Sequence, residues 1–274
     1  MIVFPNAKIN LGLAVTEKRS DGYHNLESIF IPIALCDALE IIPSQTFTIK
    51  NYGFTINGDI EQNLCYKAFK LLQNDFRIPP VTIILHKNIP MGAGLGGGSS
   101  DAAFTLKTLN QLFDLNLSLS QLSHYAKLLG SDCNFFIENI PAFATEKGDV
   151  LTPLSFPFNE IYIVIVKNNI HISTSQAYQN IIPQKTSYSF KEIIEQVSFD
   201  EWKYYFFNDF EKSAFIQYPQ LKSLKDFLYE QGAFYASMTG SGSAIYGLFK
   251  SEPYISLDNT FVWKGKIELP IRNL

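Results

Sequence analysis

Lys8 and Asn10 stand two apart in the run Pro5-Asn6-Ala7-Lys8-Ile9-Asn10-Leu11-Gly12-Leu13. In a strand, residues two apart point to one face, so an ammonium and an amide share a face among apolar neighbours. Burying either without a partner is costly. Two readings stay open: a sheet face lapped by solvent with the lysine snorkelling, or the face of an active site. The stronger signal is Pro90-Met91-Gly92-Ala93-Gly94-Leu95-Gly96-Gly97-Gly98-Ser99-Ser100-Asp101, where five of twelve residues are glycine. Without Cβ atoms, backbone N–H groups can converge on a ligand at close range. Val81–Leu85 before it reads as a strand, and a helical pattern runs from about Ser99 to Phe113, with Ser99 and Ser100 at its expected start. Strand, glycine loop and helix N-terminus make an anion site, because free N–H groups and the helix dipole both favour phosphate.

Two familiar nucleotide loops are excluded. From Gly92 the P-loop spacing reaches Gly97, but Gly98 stands where its lysine belongs. Gly92, Gly94 and Gly97 meet G-x-G-x-x-G formally, with Asp114 at about the right distance. That acid should close a second strand, whereas the residues before it read as helix. A flexible linker would not be framed by Met91, Leu95 and an amphipathic helix.

Other polar segments carry a plain and a chemical reading. Arg19-Ser20-Asp21-Gly22-Tyr23-His24 is a polar turn with an aromatic ring and an imidazole, and a lone turn histidine is usually just exposed. Asp132, in Gly130-Ser131-Asp132-Cys133-Asn134, is a cap for the next short helix or a functional carboxylate. Lys87 is a solvated strand-end charge or a ligand for phosphate. Thr239-Gly240-Ser241-Gly242-Ser243 is a hairpin turn whose small hydroxyl residues also suit close approach to another loop or a phosphate.

The elements that must position these residues alternate. Strands are expected at Ala7–Val15, Leu26–Ile33, Leu39–Ile42, Phe47–Lys50, residues 81–86 and Ile161–Val166, and a hairpin joins Phe234–Ser237 to Ala244–Phe249. Helices are expected at Asn63–Phe76, Ser120–Leu129 (begun by Ser118 or Ser120), Ser173–Asn180, Phe190–Val197 and Leu221–Gln231. Mixed in this order, they argue an α+β fold, with the best candidate boundary near Pro153–Pro157. The 274 residues are 46% hydrophobic and 18% charged, enough for a substantial core. A net charge of −4 argues against broad nucleic-acid binding. Cys36, Cys65 and Cys133 are odd in number and widely spaced, which fits reduced cytosolic thiols rather than zinc or disulfides. No signal peptide or membrane span is read, so a soluble cytoplasmic protein is expected.

Pro5–Gly12, Pro90–Ala102 and Thr239–Phe249 resemble, in order, the three motifs of the GHMP kinase superfamily, small-molecule kinases without a standard P-loop. Ala7–Leu11 followed by Arg19–Leu26 is similar to its branch acting on 4-diphosphocytidyl-2-C-methyl-D-erythritol in the non-mevalonate isoprenoid pathway; other members do not generally share the DGYH turn. The resemblance is strong to about Ala144 and thin between Asn180 and Gln231. It implies a two-domain fold: a ribosomal protein S5 domain 2-like, ATP-binding N-terminal domain over 1–153 and a ferredoxin-like C-terminal domain over 154–274. It implies phosphorylation of the substrate's 2-hydroxyl, with ATP and Mg²⁺, giving the 2-phosphate and ADP. By position, Asp132 would be the catalytic base and Lys8 its partner. Lys8, Asn10 and Thr174 would line the methylerythritol pocket. Tyr23 and His24 would recognise the cytidine end, with Tyr178 on the opposite face of the base. Asn63, Lys87 and the whole run Pro90–Ser100 would serve ATP, and Gly240, Ser241 and Gly242 form the third-motif loop. Ser100 is the one protein contact carried over for the metal. Small molecules would be its partners, without nucleic acid or membrane, as a monomer or weak homodimer in the cytoplasm.

Departures accompany the resemblance. Around Asp132 the family commonly reads G-A-D-V-P-F, and here Ser131, Cys133 and Asn134 replace its alanine, valine and proline. Position 178 is tyrosine rather than phenylalanine. The chain ends soon after the last hairpin, which implies a slightly trimmed C-terminal domain. The alternatives are another GHMP kinase, acting on mevalonate, homoserine or a sugar, and a catalytically silent metabolite-binding homologue.

Overall fold

A computed structural model describes residues 1–56, 58–155, 161–179 and 181–267. In chain order its strands are β1 (Ile2–Val3), β2 (Asn6–Lys18), β3 (His24–Cys36), β4 (Ala38–Pro43), β5 (Thr48–Gly53), β6 (Val81–Lys87), β7 (Ala142–Thr145), β8 (Val150–Pro153), β9 (Tyr162–Lys167), β10 (Tyr235–Met238), β11 (Ile245–Phe249) and β12 (Phe261–Lys266). Its helices are α1 (Leu64–Phe76), α2 (Gly97–Leu112), α3 (Leu119–Leu129), α4 (Phe135–Glu138), α5 (Thr174–Tyr178), α6 (Phe190–Gln196), α7 (Trp202–Tyr205), α8 (Phe210–Gln217) and α9 (Pro219–Glu230). Mixed helices and sheets make this the expected α+β fold. Among the described residues no helix is long and apolar enough to cross a membrane.

The backbone groups into two compact units that interleave along the chain: Met1–Ala7, Leu35–Met91 and Gly96–Asn139 in the first, Lys8–Ala34, Gly92–Leu95 and Ile140–Leu274 in the second. The proposed division of the sequence at 153 and 154 is a different kind of cut, and part of the Pro153–Pro157 segment lies outside the described residues.

In the first unit a sheet runs β1-β4-β6-β5. β5 and β6 are parallel, so the chain needs a crossover between them, which α1 supplies. Asn63 caps α1, its Oδ1 accepting from the Cys65 N–H at 2.8 Å. Ser118 and Gln121 form a capping box that starts α3 one residue before the predicted Ser120. Ile41, Ile83, Leu85, Phe69, Leu72, Leu106 and Leu109 are buried.

In the second unit β2-β3-β7-β8 form one sheet and β10-β11-β9-β12 another. Every pair in the latter is antiparallel. Numbered in chain order, its strands lie 4-1-3-2, the split βαβ order of a ferredoxin-like sheet. The second helix of that pattern is absent, since residues 250–260 contain none. The predicted hairpin is confirmed by the Tyr235–Leu248 and Met238–Ile245 pairs, and β12 extends the sheet beyond it. Val164, Val166, Ala236, Met238 and Ile245 pack with Phe210, Ala214, Leu221 and Leu228 into one core.

Candidate active site

In the second unit the solvent-lapped reading of Lys8 and Asn10 fails, because the two are 3% and 2% exposed. Burial demands partners. Lys8 Nζ donates to Asn10 Oδ1 at 2.5 Å and lies 4.5 Å from the Phe30 ring centroid. Asn10 Nδ2 donates to Ser28 Oγ at 2.9 Å, and Ser28 in turn donates to the Gly12 carbonyl at 2.6 Å. The Asn10 N–H donates to Thr239 Oγ1 at 3.1 Å, and Thr239 donates to the Gly94 carbonyl at 3.1 Å. Tyr246 closes the network by donating to the Asn10 carbonyl at 2.8 Å. Three motifs far apart in sequence thus share one hydrogen-bonded frame.

Gly94 shows why this loop is glycine-rich. Its φ is +74°, and a methyl group there would run into the Thr239 carbonyl oxygen. Asn208, which sequence reasoning missed, holds the third-motif turn from beneath. Its amide donates to the carbonyls of Met238 and Gly240 at 2.7 and 2.9 Å while its Oδ1 accepts from the Phe210 N–H at 3.0 Å. Thr174 reaches the same turn, sharing a 3.3 Å hydrogen bond with Ser241.

The DGYH turn is fixed by Asp21, which accepts from Arg19 Nε at 3.1 Å and from the Tyr23 N–H at 3.1 Å. That N–H, foremost, holds the Asp21 carboxyl below its ordinary range. Tyr23 is largely exposed, whereas His24 belongs to β3 rather than to the turn. Its ring stacks on Tyr178 at 4.9 Å and 20°. That separation leaves no room for a third ring between the two, so in this structure His24 itself covers one face of Tyr178. Tyr178 in turn meets Phe210 edge-on at 4.8 Å. Burial, then the Lys18 ammonium, push the His24 pKa down, so the imidazole is neutral near pH 7.

In the first unit α2 begins at Gly97, two residues before the predicted Ser99, with Gly96 at the cap in the left-handed region (φ +72°). A methyl group on Gly98 would meet nothing within 4 Å. Ser100 Oγ, in the same first turn, is fully buried without a hydrogen-bond partner. An open glycine face, an orphaned hydroxyl and the N-terminus of a 16-residue helix fit a phosphate group. Among the described residues no group of three His, Cys, Asp or Glu side chains is placed to hold a metal. A divalent cation therefore fits here only with phosphate oxygens as its main ligands, Ser100 being the one carried-over protein oxygen.

Lys87 is not the solvated strand-end charge of the plain reading; it is 1% exposed. Its ammonium pairs with Asp37 and, at 2.6 Å, with Asp101. Asp37 Oδ1 also accepts from the N–H groups of Asn88 and Ile89 at 2.6 and 2.8 Å. Burial would lower the Lys87 pKa, but the two carboxylates outweigh it and the net shift is upward. Two carboxylates around one ammonium cannot both be stabilised in full. Burial, with Asp37 adding to it against the pull of Lys87, raises Asp101 to about 7. The Lys87 charge is thus committed to anchoring the start of α2 against β6, which corrects its reading as a free phosphate ligand.

Asp132 lies in a single 3-10 turn, Ser131–Cys133, directly after Gly130 ends α3. It does not cap α4, whose cap position is Asn134. Cys133 is buried, and burial pushes its thiol to about 12 despite a hydrogen bond from Ser99. That bond ties the turn carrying Asp132 to the first turn of α2.

Comparison with known proteins agrees with these motifs. The model of the GHMP kinases N terminal domain matches residues 63–145, and that of the GHMP kinases C terminal domain matches 190–256. A Bacteroides thetaiotaomicron protein named 4-diphosphocytidyl-2-C-methyl-D-erythritol kinase is 50% identical over 275 residues, covering 97% of this chain and all of that one. The chain belongs to the GHMP kinases, in the branch of the 4-diphosphocytidyl-2-C-methyl-D-erythritol kinases. A Chlorobium limicola kinase of the same name is 43% identical, covering 89% of this chain and 86% of its own. A crystal structure of a 4-(cytidine 5'-diphospho)-2C-methyl-D-erythritol kinase superposes with a TM-score of 0.75 at 32% identity, over 90% of each chain. Homoserine kinase from Cytophaga hutchinsonii, at 16% identity and a TM-score of 0.69 over 97% of this chain and 96% of that one, shares the fold. The GHMP kinase frame explains why the Lys8–Asn10 pair, Gly94 and Thr239, three segments remote in sequence, are bonded together.

Proposed function

We propose that this GHMP kinase phosphorylates the 2-hydroxyl of 4-diphosphocytidyl-2-C-methyl-D-erythritol with ATP, releasing the 2-phosphate and ADP. The observation that carries it is the start of α2, where an open Gly98 and an orphaned, buried Ser100 hydroxyl stand ready for an anion. The acceptor is taken from the relatives' activity and from the DGYH turn.

In this reading Pro90–Ser100 hold the triphosphate through main-chain N–H groups, with Asn63 on the nucleotide side and Lys87 acting by anchoring α2. Asp132 accepts the proton of the substrate hydroxyl as the hydroxyl oxygen bonds to the γ-phosphorus and the bond to the β–γ bridging oxygen breaks. ADP leaves with that electron pair, and Asp132 returns the proton to solvent. Lys8 keeps the carboxylate ionised and offsets charge growing on the transferred group, and Asn10 fixes the Lys8 ammonium. Mg²⁺, when bound with Ser100 among its contacts, neutralises phosphate charge. Tyr23, His24 and Tyr178 take the cytidine end once His24 leaves the Tyr178 face, and Thr174, with Gly240, Ser241 and Gly242, borders the acceptor. We further propose residues 1–153 and 154–274 as the two modules of a cytoplasmic monomer or weak homodimer.

The test is coupled ADP release with Mg-ATP, with and without the cytidyl substrate, and with mevalonate and homoserine as controls. Turnover confined to the cytidyl substrate is expected. Turnover with a control instead would overturn the acceptor.

A further inference from the structure

His171 lies outside every motif, yet its ring sits on the glycine loop. A methyl group on Gly92, at φ +57°, would overlap the His171 imidazole at Nδ1 and Cε1. Gly92 therefore owes its missing side chain partly to this ring. His171 is exposed, and neither ring nitrogen makes a hydrogen bond or ion pair with a described residue. An uncommitted imidazole against a phosphate-binding loop is available to a ligand of that loop.

The ring's place is built rather than incidental. The Ile170 carbonyl accepts from Ser243 Oγ and, at 2.7 Å, from Lys167 Nζ. Ile172 is buried against the Gly242 side of the third-motif turn. His171 is thus pinned on both sides while its own side chain stays outside. The loop is pinned as well: the Ala93 carbonyl, next to Gly92, accepts from the Ala244 N–H at 3.2 Å. Ring and loop consequently hold their relation through backbone anchors.

We infer that His171 is a nucleotide-phosphate contact of this kinase, donating a ring N–H to the ATP polyphosphate where it passes Gly92. The inference rests on the ATP reading above and adds a residue to it. A hydrogen bond from this ring to a charged phosphate is worth about a ten-fold change in affinity.

The test compares the wild-type chain with His171→Ala and His171→Gln. Steady-state rates are taken while ATP and then the cytidyl substrate are varied, and the affinity for the non-hydrolysable analogue adenylyl imidodiphosphate is measured by calorimetry. Expected are a rise of about ten-fold in KM for ATP and a matching loss of analogue affinity in His171→Ala. The Gln variant, which keeps an N–H donor, recovers part of both. KM for the cytidyl substrate and the melting temperature without nucleotide stay unchanged. Unchanged analogue affinity in His171→Ala, or a parallel rise in both KM values, would overturn the contact. If the wild-type chain binds the analogue but turns over no acceptor, the functional reading fails while the analogue affinities still decide this one. If it does not bind the analogue, both fall.

Discussion

Replacing Lys87 with methionine keeps the bulk of the buried stem and removes only the ammonium. Two carboxylates then lose their shared cation inside the first unit, beneath the start of α2. Removing one partner of a buried ion pair costs about 3–5 kcal/mol. Asp37 keeps two main-chain donors, so it tolerates the change better. Asp101 keeps one oxygen without a partner and relieves its charge by taking a proton. The expected loss therefore falls near the lower end, about 3 kcal/mol. The pH dependence follows from the direction of the Asp101 shift, upward from 3.8 to about 7. Between those values the folded chain holds a proton that the unfolded chain has released, so stability falls as pH rises through that window. Without Lys87 the folded pKa rises further and the fall extends to higher pH, making the mutational loss larger at about pH 8 than at about pH 5.5. Urea unfolding followed by circular dichroism at both pH values measures it, and adding Asp101→Asn to Lys87→Met should restore part of the loss. A loss under about 1 kcal/mol at pH 8, or an equal loss at both pH values, would refute the account of a charged buried cluster.

Asp132→Asn should lower kcat by about 10²–10⁴ with the affinity for adenylyl imidodiphosphate unchanged; a near-normal kcat would remove Asp132 as the base. Gly94→Ala forces a side chain into the left-handed region and against the Thr239 carbonyl. It should cost about 2 kcal/mol or more in thermal unfolding and raise KM for ATP; wild-type behaviour in both would contradict the loop packing. Burial pushes the thiols of Cys36, Cys65 and Cys133 up to about 11, 12 and 12. A chromogenic disulfide at about pH 8 should thus label none of the three within minutes in the native chain and all three after unfolding, and fast native labelling of Cys133 would show an exposed thiolate at the Asp132 turn.

Elements announced by local chemistry were legible. Asn63–Phe76 reads as a helix, and Asn63 proves to be its cap; Ser118 reads as one possible start of the next helix and caps it; the Thr239–Ser243 turn reads as the bend of a hairpin. The start of α2 was misplaced by two residues for a physical reason. Gly97 and Gly98 have poor helix propensity, yet they occupy the first turn, where a methyl group on Gly97 would press on Ile89 and the Lys87 ammonium and one on Gly98 would meet nothing within 4 Å. Strands β7, β8 and β12 were missed because four to six residues carry too little periodicity to separate them from loop.

The site divides along the same line. Glycine loops announce themselves, since what they require is local backbone freedom. What a charged residue does depends on a partner that no local pattern names. Lys87 is equally compatible, read in its own segment, with a solvated end or a phosphate contact. Only Asp37, fifty residues away between two strands, and Asp101, at the tail of the glycine run, settle that its charge is spent inside the protein. Asn208 and His171 follow the same rule from the opposite direction. Neither belongs to a motif, and each gains its meaning from a backbone turn thirty or more residues distant: Met238 and Gly240 for the first, Gly92 for the second. The motifs are therefore legible from their own residues, while the residues that hold those motifs in shape emerge only when the fold supplies their partners.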